Sequence, residues 1–161
     1  MSAMLDMCTP CGPDGLINIR VGAIIRKHDR ILMVKSEYSE YLFSVGGHLD
    51  FGETTEEAVV RETEEETGSR LEIDRLGFVH EAYFRGESPF KKNKLVFEIS
   101  FYYYMKVPDD FEPARSVFYE GDARDELVWV TADDPRRMFP AFFRTDIWTP
   151  NPGVHHFVTR S

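Results

Sequence analysis

The strongest constraint on this chain is an acid-rich segment bracketed by glycines: Gly46-Gly47-His48-Leu49-Asp50-Phe51-Gly52-Glu53, then Thr54 to about Thr67, then Gly68. The spacing predicts a helix from Thr54. Thr54 and Glu57 fit a capping box, in which each side chain satisfies a free backbone N–H of the first turn. Gly68 stands where a left-handed residue ends a helix. On such a helix, positions i, i+3 and i+4 share a face, so Glu62, Glu65 and Glu66 project together. Val59, Val60, Thr63 and Thr67 form an adjoining face able to pack on a sheet, and Glu57, Arg61 and Glu64 fall on the third side. Like charges at these spacings cost an isolated helix about 0.2–0.5 kcal/mol per pair. Convergent carboxylates therefore call for something positive between them, and a hard divalent cation with oxygen ligands is the natural candidate. A solvated acidic face is the alternative, because acidic runs are common. The glycines favour the first reading: Gly46-Gly47 and Gly52 build a tight loop where backbone N–H groups can approach a phosphate.

Around this segment the pattern is that of an α/β chain. Ile17–Ile25 alternates and is β-branched, so it reads as a strand, with Lys27–Arg30 as a turn into Ile31–Val34 and a hairpin between the two. Tyr41–Val45 is a further strand, halted by Gly46-Gly47. Two long β segments follow, about Leu71–Tyr83 and Leu95–Val107, joined by the polar stretch Arg85–Asn93. A Pro- and acid-containing loop leads to a last strand, Glu126–Val130. Asp133–Trp148 reads as one or two short helices, starting near Pro135 and interrupted by Pro140. The expectation is a single domain over residues 1–161, with an irregular segment over 1–15 and a loose tail over 149–161.

At Gly47, Glu53, Arg61, Glu62, Glu65, Glu66 and Gly68 the segment matches the Nudix box with every spacing correct. Seven fixed positions coincide by chance on the order of once in 10⁸ windows. The chain thus resembles the Nudix hydrolases over Gly47–Ser69. Thr63 and Ser69 stand where that family prefers aliphatic residues, and Val45 where a Pro is frequent; these are packing and loop-shape positions. The resemblance implies an α+β mixed sheet in a Nudix-type α/β/α sandwich, with the box helix on one side. It also implies metal-dependent hydrolysis of a diphosphate bond in a nucleoside diphosphate linked to another moiety, by water attack at phosphorus. Glu62, Glu65 and Glu66 would bind Mg²⁺ or Mn²⁺. Arg61 would hold a glutamate in its ligating pose, Glu53 would be an additional or water-mediated ligand, and Gly46 and Gly47 would line the substrate.

The proton acceptor of that family is not always inside the box. Glu98, in an otherwise apolar strand, either faces the metal site or lies on a solvated face. Glu120, Asp125 and Glu126 form a second pool, in the loop before the last strand. His48 adjoins a box glycine and reads as a phosphate contact or as a plain polar loop residue. Tyr83, with Tyr38, Tyr41, Phe51 and Phe84, could stack on a base. The motifs that mark ADP-ribose-type and coenzyme A-type members are not evident. The competing function is a nucleotide-binding or regulatory module without turnover, which the full set of box acids disfavours.

Composition narrows the partners. The formal net charge of −9 repels a nucleic-acid backbone, yet still admits a phosphorylated small molecule if metal ions bridge the two. No apolar run approaches the length that spans a bilayer, and Met1–Met7 has no secretory character, so the expected location is the cytoplasm. A homodimer is compatible with the sequence. Cys8 and Cys11 form a lone Cys-Thr-Pro-Cys that reads as half a zinc site, a redox pair or, among Pro10, Gly12, Pro13 and Gly15, an irregular reduced segment.

Overall fold

The computed structural model describes residues 7–89, 91–149 and 151–161. Its strands are β1 (Cys8–Cys11), β2 (Gly15–Ile24), β3 (Arg26–Lys27), β4 (Arg30–Ser36), β5 (Phe43–His48), β6 (Ile73–Arg85), β7 (Leu95–Met105), β8 (Val117–Glu120), β9 (Ala123–Thr131) and β10 (His155–Arg160). Helix α1 (Thr55–Thr67) follows β5, and two 3₁₀ turns, Ala141–Phe143 and Asp146–Trp148, follow β9. The strands form one ten-stranded mixed sheet in the order β10-β6-β7-β2-β5-β4-β9-β8, with β1 paired to β2 and β3 to β4.

The expected hairpin between the first two strands forms only at its tip, where Arg26 and Lys27 pair with Ile31 and Arg30 and Leu32 N–H donates to the Ile25 carbonyl at 2.9 Å. The 21–24 stretch of β2 is buried almost throughout, and β2 takes a partner on each edge: β7 in parallel (Asn18↔Glu98, Arg20↔Ser100) and β5 antiparallel (Arg20↔His48). Beyond that tip, β4 pairs with β5 and β9.

Period-two alternation splits the core between the faces of the sheet. On one face, Val21, Ala23, Leu32, Val34, Val45 and Tyr103 pack with Ala58 and Val59 of α1. On the other, Ile24, Ile31, Met33, Phe78, Tyr102 and Val130 pack with Phe142, Phe143 and Ile147 of the 3₁₀ turns. The α+β mixed-sheet sandwich is thus present, with its second helical layer reduced to single turns. Those turns begin after Pro140, rather than near Pro135; Leu42 bridges Met138 upstream of them.

Both chain ends depart from the sequence reading. The tail expected over 149–161 carries a strand: His155–Arg160 runs parallel to Phe78–Tyr83 of β6. Phe157 packs beside Phe78 and Phe142, and Thr159 Oγ1 lies 2.8 Å from His80 Nε2. In the segment over 1–15, Met1–Asp6 lie outside the described residues, whereas Cys8–Cys11 turn back on β2 through Gly12, at φ 69°. Positions three apart on a strand are roughly 10 Å apart and point to opposite faces, too far for a disulfide. Among the described residues no group of three or more His, Cys, Asp or Glu side chains is placed to hold a metal. Neither Cys8 nor Cys11 is in a disulfide, so neither sharp reading of the pair is realised.

Phe143, fully buried and edge-on to Tyr102, is the test of the second core. Phe143→Ala is expected to cost about 3–5 kcal/mol of stability in denaturant unfolding. Val158→Ala, on the exposed side of β10, should stay within about 0.5 kcal/mol of wild type.

Candidate active site

The double glycine clears the space in which the site is built. Gly46 sits at φ 149°, and a Cβ there would lie 2.1 Å from the Val21 carbonyl oxygen. A Cβ on Gly47 would lie 2.7 Å from the Glu62 carboxylate. At Gly46 the obstacle is backbone, so only glycine lets the end of β5 run this close to its neighbour strand, whereas at Gly47 a side chain would displace the movable Glu62 carboxylate. The helix is capped as its sequence indicates. Thr54 Oγ1 accepts from Glu57 N–H at 3.2 Å, Glu57 accepts from Thr54 N–H at 2.8 Å, and Gly68 closes the helix at φ 74°. Val59, Thr63 and Thr67 are buried against the sheet.

One guanidinium organises the acids. Arg61 Nε and Nη2 donate to the two oxygens of Glu53 at 2.5 and 2.9 Å. Its Nη1 donates to Glu62 at 2.8 Å and to Glu65 at 3.3 Å, and Nη2 also reaches the His48 carbonyl at 3.2 Å. Asp50 completes the ring of charge at 3.6 Å. Periodicity alone put Arg61 on the third side of α1; its long side chain instead reaches back between the carboxylates. Hydrogen bonding to Glu53 and the charge of Glu62 raise the Arg61 pKa against the effect of burial, and the same bonds from Arg61 hold Glu53 below its ordinary range.

Glu62, Glu65 and Glu66 do not share one environment. Glu65 is more than half exposed. Burial pushes the Glu62 carboxyl up to about 7, against the attraction of Arg61. Glu66 is buried, and burial with the charges of Glu62 and Glu120 drives it well above the carboxylate range. Among the described residues its one backbone donor is Gly46 N–H at 3.4 Å, and the Arg20 charge offsets only part of the effect of burial. A buried carboxylate with so little compensation is costly. The box acids are not gathered as a metal-holding group in this arrangement, with the Arg61 guanidinium standing among them; it is their all-oxygen chemistry, with one buried and poorly compensated member, that suits a hard divalent cation.

Of the acids outside the box, Glu120 is the one that acts on this group, adding negative charge at both Glu62 and Glu66. Glu98 belongs elsewhere. It alternates with Phe97 and Ile99, on the sheet face away from α1, is 7% exposed, and accepts from Asn18 Nδ2 at 3.2 Å. Glu126 pairs with Arg124 at 2.5 Å. Asp125 is buried beside Ser36 and Phe118 in register, with its Oδ1 unpartnered. Tyr83 packs against Phe97 with Arg160 over its ring. His155 stacks on Phe157, and His156 pairs with Glu81. His48 enters the box network through its carbonyl; burial, with the charges of Arg20 and Lys91, lowers its imidazole pKa to about 3.

Sequence reasoning passed over Asn18 and Arg20. Their signal was present: polar residues at every second position of an apolar strand, matched by Glu98 and Ser100 in the strand beside them. Arg20 is half-buried, and Glu98, Glu120, Tyr102 and Glu66 together raise its pKa against the burial that lowers it.

The NUDIX domain model matches residues 17–148. The chain belongs to the NUDIX family. It is 37% identical over 65 residues to a MutT-like protein of Streptomyces ambofaciens, covering 40% of this chain and 42% of that one. It is 45% identical over 53 residues to an ADP-ribose pyrophosphatase of Methanocaldococcus jannaschii, covering 31% of each. Both matches span less than half of the relative's length. Among solved structures, a MutT NUDIX hydrolase from Burkholderia pseudomallei superposes with a TM-score of 0.55 at 25% identity, over 78% of this chain and 92% of that one.

The depressed His48 gives a signed pH dependence. The folded state keeps His48 neutral well below the ordinary value of 6.5, whereas the unfolded chain takes up that proton. Its contribution to stability is therefore intact above pH 6.5 and is lost as pH falls toward 3, by up to about 1.4 kcal/mol per pH unit. Imidazole NMR should show His48 neutral at pH 5; a midpoint near 6.5 would contradict the burial argument.

Proposed function

We propose that this NUDIX protein is a metal-dependent hydrolase that cleaves the diphosphate bond of a nucleoside diphosphate linked to a second moiety. The observation that carries the reading is the acidic cluster around Arg61, with Glu66 buried behind it almost uncompensated. The relatives' names, MutT-like and ADP-ribose pyrophosphatase, support a nucleotide-derived diphosphate as substrate. Residues 1–161 are read as one such domain. Among the described residues no helix is long and apolar enough to cross a membrane. With two unbridged cysteines this is in keeping with the cytoplasm as its location.

Glu62, Glu65 and Glu66 would hold Mg²⁺ or Mn²⁺, with Glu53 as a further or water-mediated ligand. The ion, when bound, supplies charge neutralisation at the diphosphate oxygens and a lowered pKa for the attacking water. Arg61 orients Glu62 and Glu65 from behind, and Glu53 fixes the guanidinium in turn. The Gly46-Gly47 backbone leaves room for a phosphate beside the acids. Glu120 is our candidate for the group that takes the proton from water, because it is the outside carboxylate that acts on Glu62 and Glu66.

Chelator-treated protein should be inert on nucleotide sugars, dinucleotides and nucleoside di- and triphosphates, and should recover with Mg²⁺ or Mn²⁺. Full hydrolysis in excess chelator would falsify the mechanism, and tight nucleotide binding without turnover would favour a sensor. Glu65→Gln and Glu66→Gln are each expected to lower kcat at least about tenfold to a hundredfold. Glu120→Gln should lower kcat with little change in metal affinity. Glu64→Gln, at an exposed residue that pairs with Arg70, should change little.

Metal should also stabilise the fold. A hundredfold excess over Kd adds about 2.7 kcal/mol, so Mg²⁺ should raise the wild-type Tm and raise that of Glu66→Gln far less. Equal shifts in both would place the metal elsewhere.

A further inference from the structure

On the sheet face away from α1, the chain builds a polar patch that the chemistry above does not use. Asn18 and Arg20 on β2 stand in register with Glu98 and Ser100 on β7, and these with Ala82 and His80 on β6. Successive same-face positions lie roughly 7 Å apart along a strand, and neighbouring strands roughly 5 Å apart. The patch is continuous with the box, since His48 is the register partner of Arg20 on the other side. Further along the same face the floor becomes apolar and aromatic, with Tyr102, Phe78 and Phe142. His80 and Tyr41 both lie against Phe139, and the Glu98 charge acts on Tyr41, His80 and Tyr102.

The patch is under-satisfied. Asn18 is fully buried and its Oδ1 has no hydrogen-bond partner. Glu98 accepts from Asn18 at 3.2 Å and from Ser100 at a marginal 3.5 Å, although a carboxylate can accept about four hydrogen bonds. Among the described residues, Arg20 donates no hydrogen bond. Buried polar groups on central strands are costly when unpaired, and an apolar pair would serve the core better. The Glu98 charge acts on Arg20 and on Lys91, yet Arg20 makes no hydrogen bond to it, so Glu98 and the Asn18 Oδ1 beside this guanidinium await a ligand offering donors next to an acceptor. A phosphate is repelled by Glu98. A planar heterocycle with two adjacent N–H donors and a neighbouring carbonyl matches: Glu98 accepts both donors and Arg20 donates to the carbonyl. Among the common bases that edge belongs to guanine. Adenine and cytosine present an amine beside acceptors, and uracil a single N–H between two carbonyls.

We propose that Glu98, oriented by Asn18, and Arg20 form a subsite that selects a guanine base, with the attached diphosphate leading toward the box acids. The inference deepens the hydrolase reading and rests on it for the substrate's phosphates, but its test does not need turnover. Kd values of GDP, IDP, ADP and UDP for the full chain in chelator, measured by calorimetry, are the direct readout. IDP differs from GDP only in lacking the exocyclic amine. Wild type is expected to bind GDP about tenfold to a hundredfold more tightly than IDP or ADP, the range for a paired base contact. Glu98→Gln, which turns one acceptor into a donor, should reduce that preference to less than about threefold, with an unchanged circular dichroism spectrum as the check on folding. Equal affinity for the four nucleotides in wild type, or no binding of any, would overturn the proposal without recourse to a variant. So would a guanine preference that survives in a folded Glu98→Gln. A guanine preference in protein that hydrolyses nothing would leave the subsite standing and remove the hydrolase reading instead.

Discussion

The site depends on the guanidinium of Arg61. Four carboxylates, from Asp50, Glu53, Glu62 and Glu65, lie within ion-pair distance of it, and it also ties α1 to the His48 carbonyl at the end of β5. Without that charge the acids would repel one another across a partly buried interface, and the loop before α1 would lose its anchor to the helix. The planar, five-donor fork makes this arrangement available to Arg and not to Lys. Glu66 alone is left behind the ring, buried and short of positive charge. The same electrostatics that hold the loop together thus leave a deficit where a cation would be most strongly favoured.

The double glycine is the steric counterpart of that charge network. Strand β5 is hydrogen-bonded between β2 and β4, and side chains at Gly46 or Gly47 would collide with the Val21 carbonyl or with Glu62. Removing both side chains lets the acidic face of α1 approach the sheet closely enough for Glu66 to accept from the Gly46 amide. The two faces of the sheet then divide the work. Against α1 lie an apolar core and the acids. On the other face a polar patch grades into an aromatic core capped by the 3₁₀ turns.

The box was legible because its requirements are local. Capping at Thr54 and Glu57, termination at Gly68 and the grouping of Glu62, Glu65 and Glu66 follow from helical geometry within a few residues, and the structure reproduces the caps. The unequal burial of the three acids was not legible, because it depends on the sheet beneath them. Arg61 illustrates the limit from the other side: a helical wheel places its Cα, but a long flexible side chain goes where the charge is. The terminal strands were missed for a related reason. Prolines and glycines near Cys8 and before His155 read as loops, whereas β1 and β10 gain their order from pairing with β2 and β6, strands distant in sequence.

Taken alone, the sequence determined the family, the position and caps of α1, the clustering of its carboxylates and the alternation that marks most strands. These properties are written in short-range spacing. Tertiary structure decided strand order, with β5 between β2 and β4, and so which polar side chains meet. Glu98 and Glu120 looked alike as candidates in the sequence. Pairing of β7 with β2 turned Glu98 toward Asn18 and Arg20, whereas Glu120, at the end of β8, adds its negative charge at Glu62 and Glu66. An alternating strand fixes that its residues face two ways; which face meets the chemistry is set by partners distant along the chain.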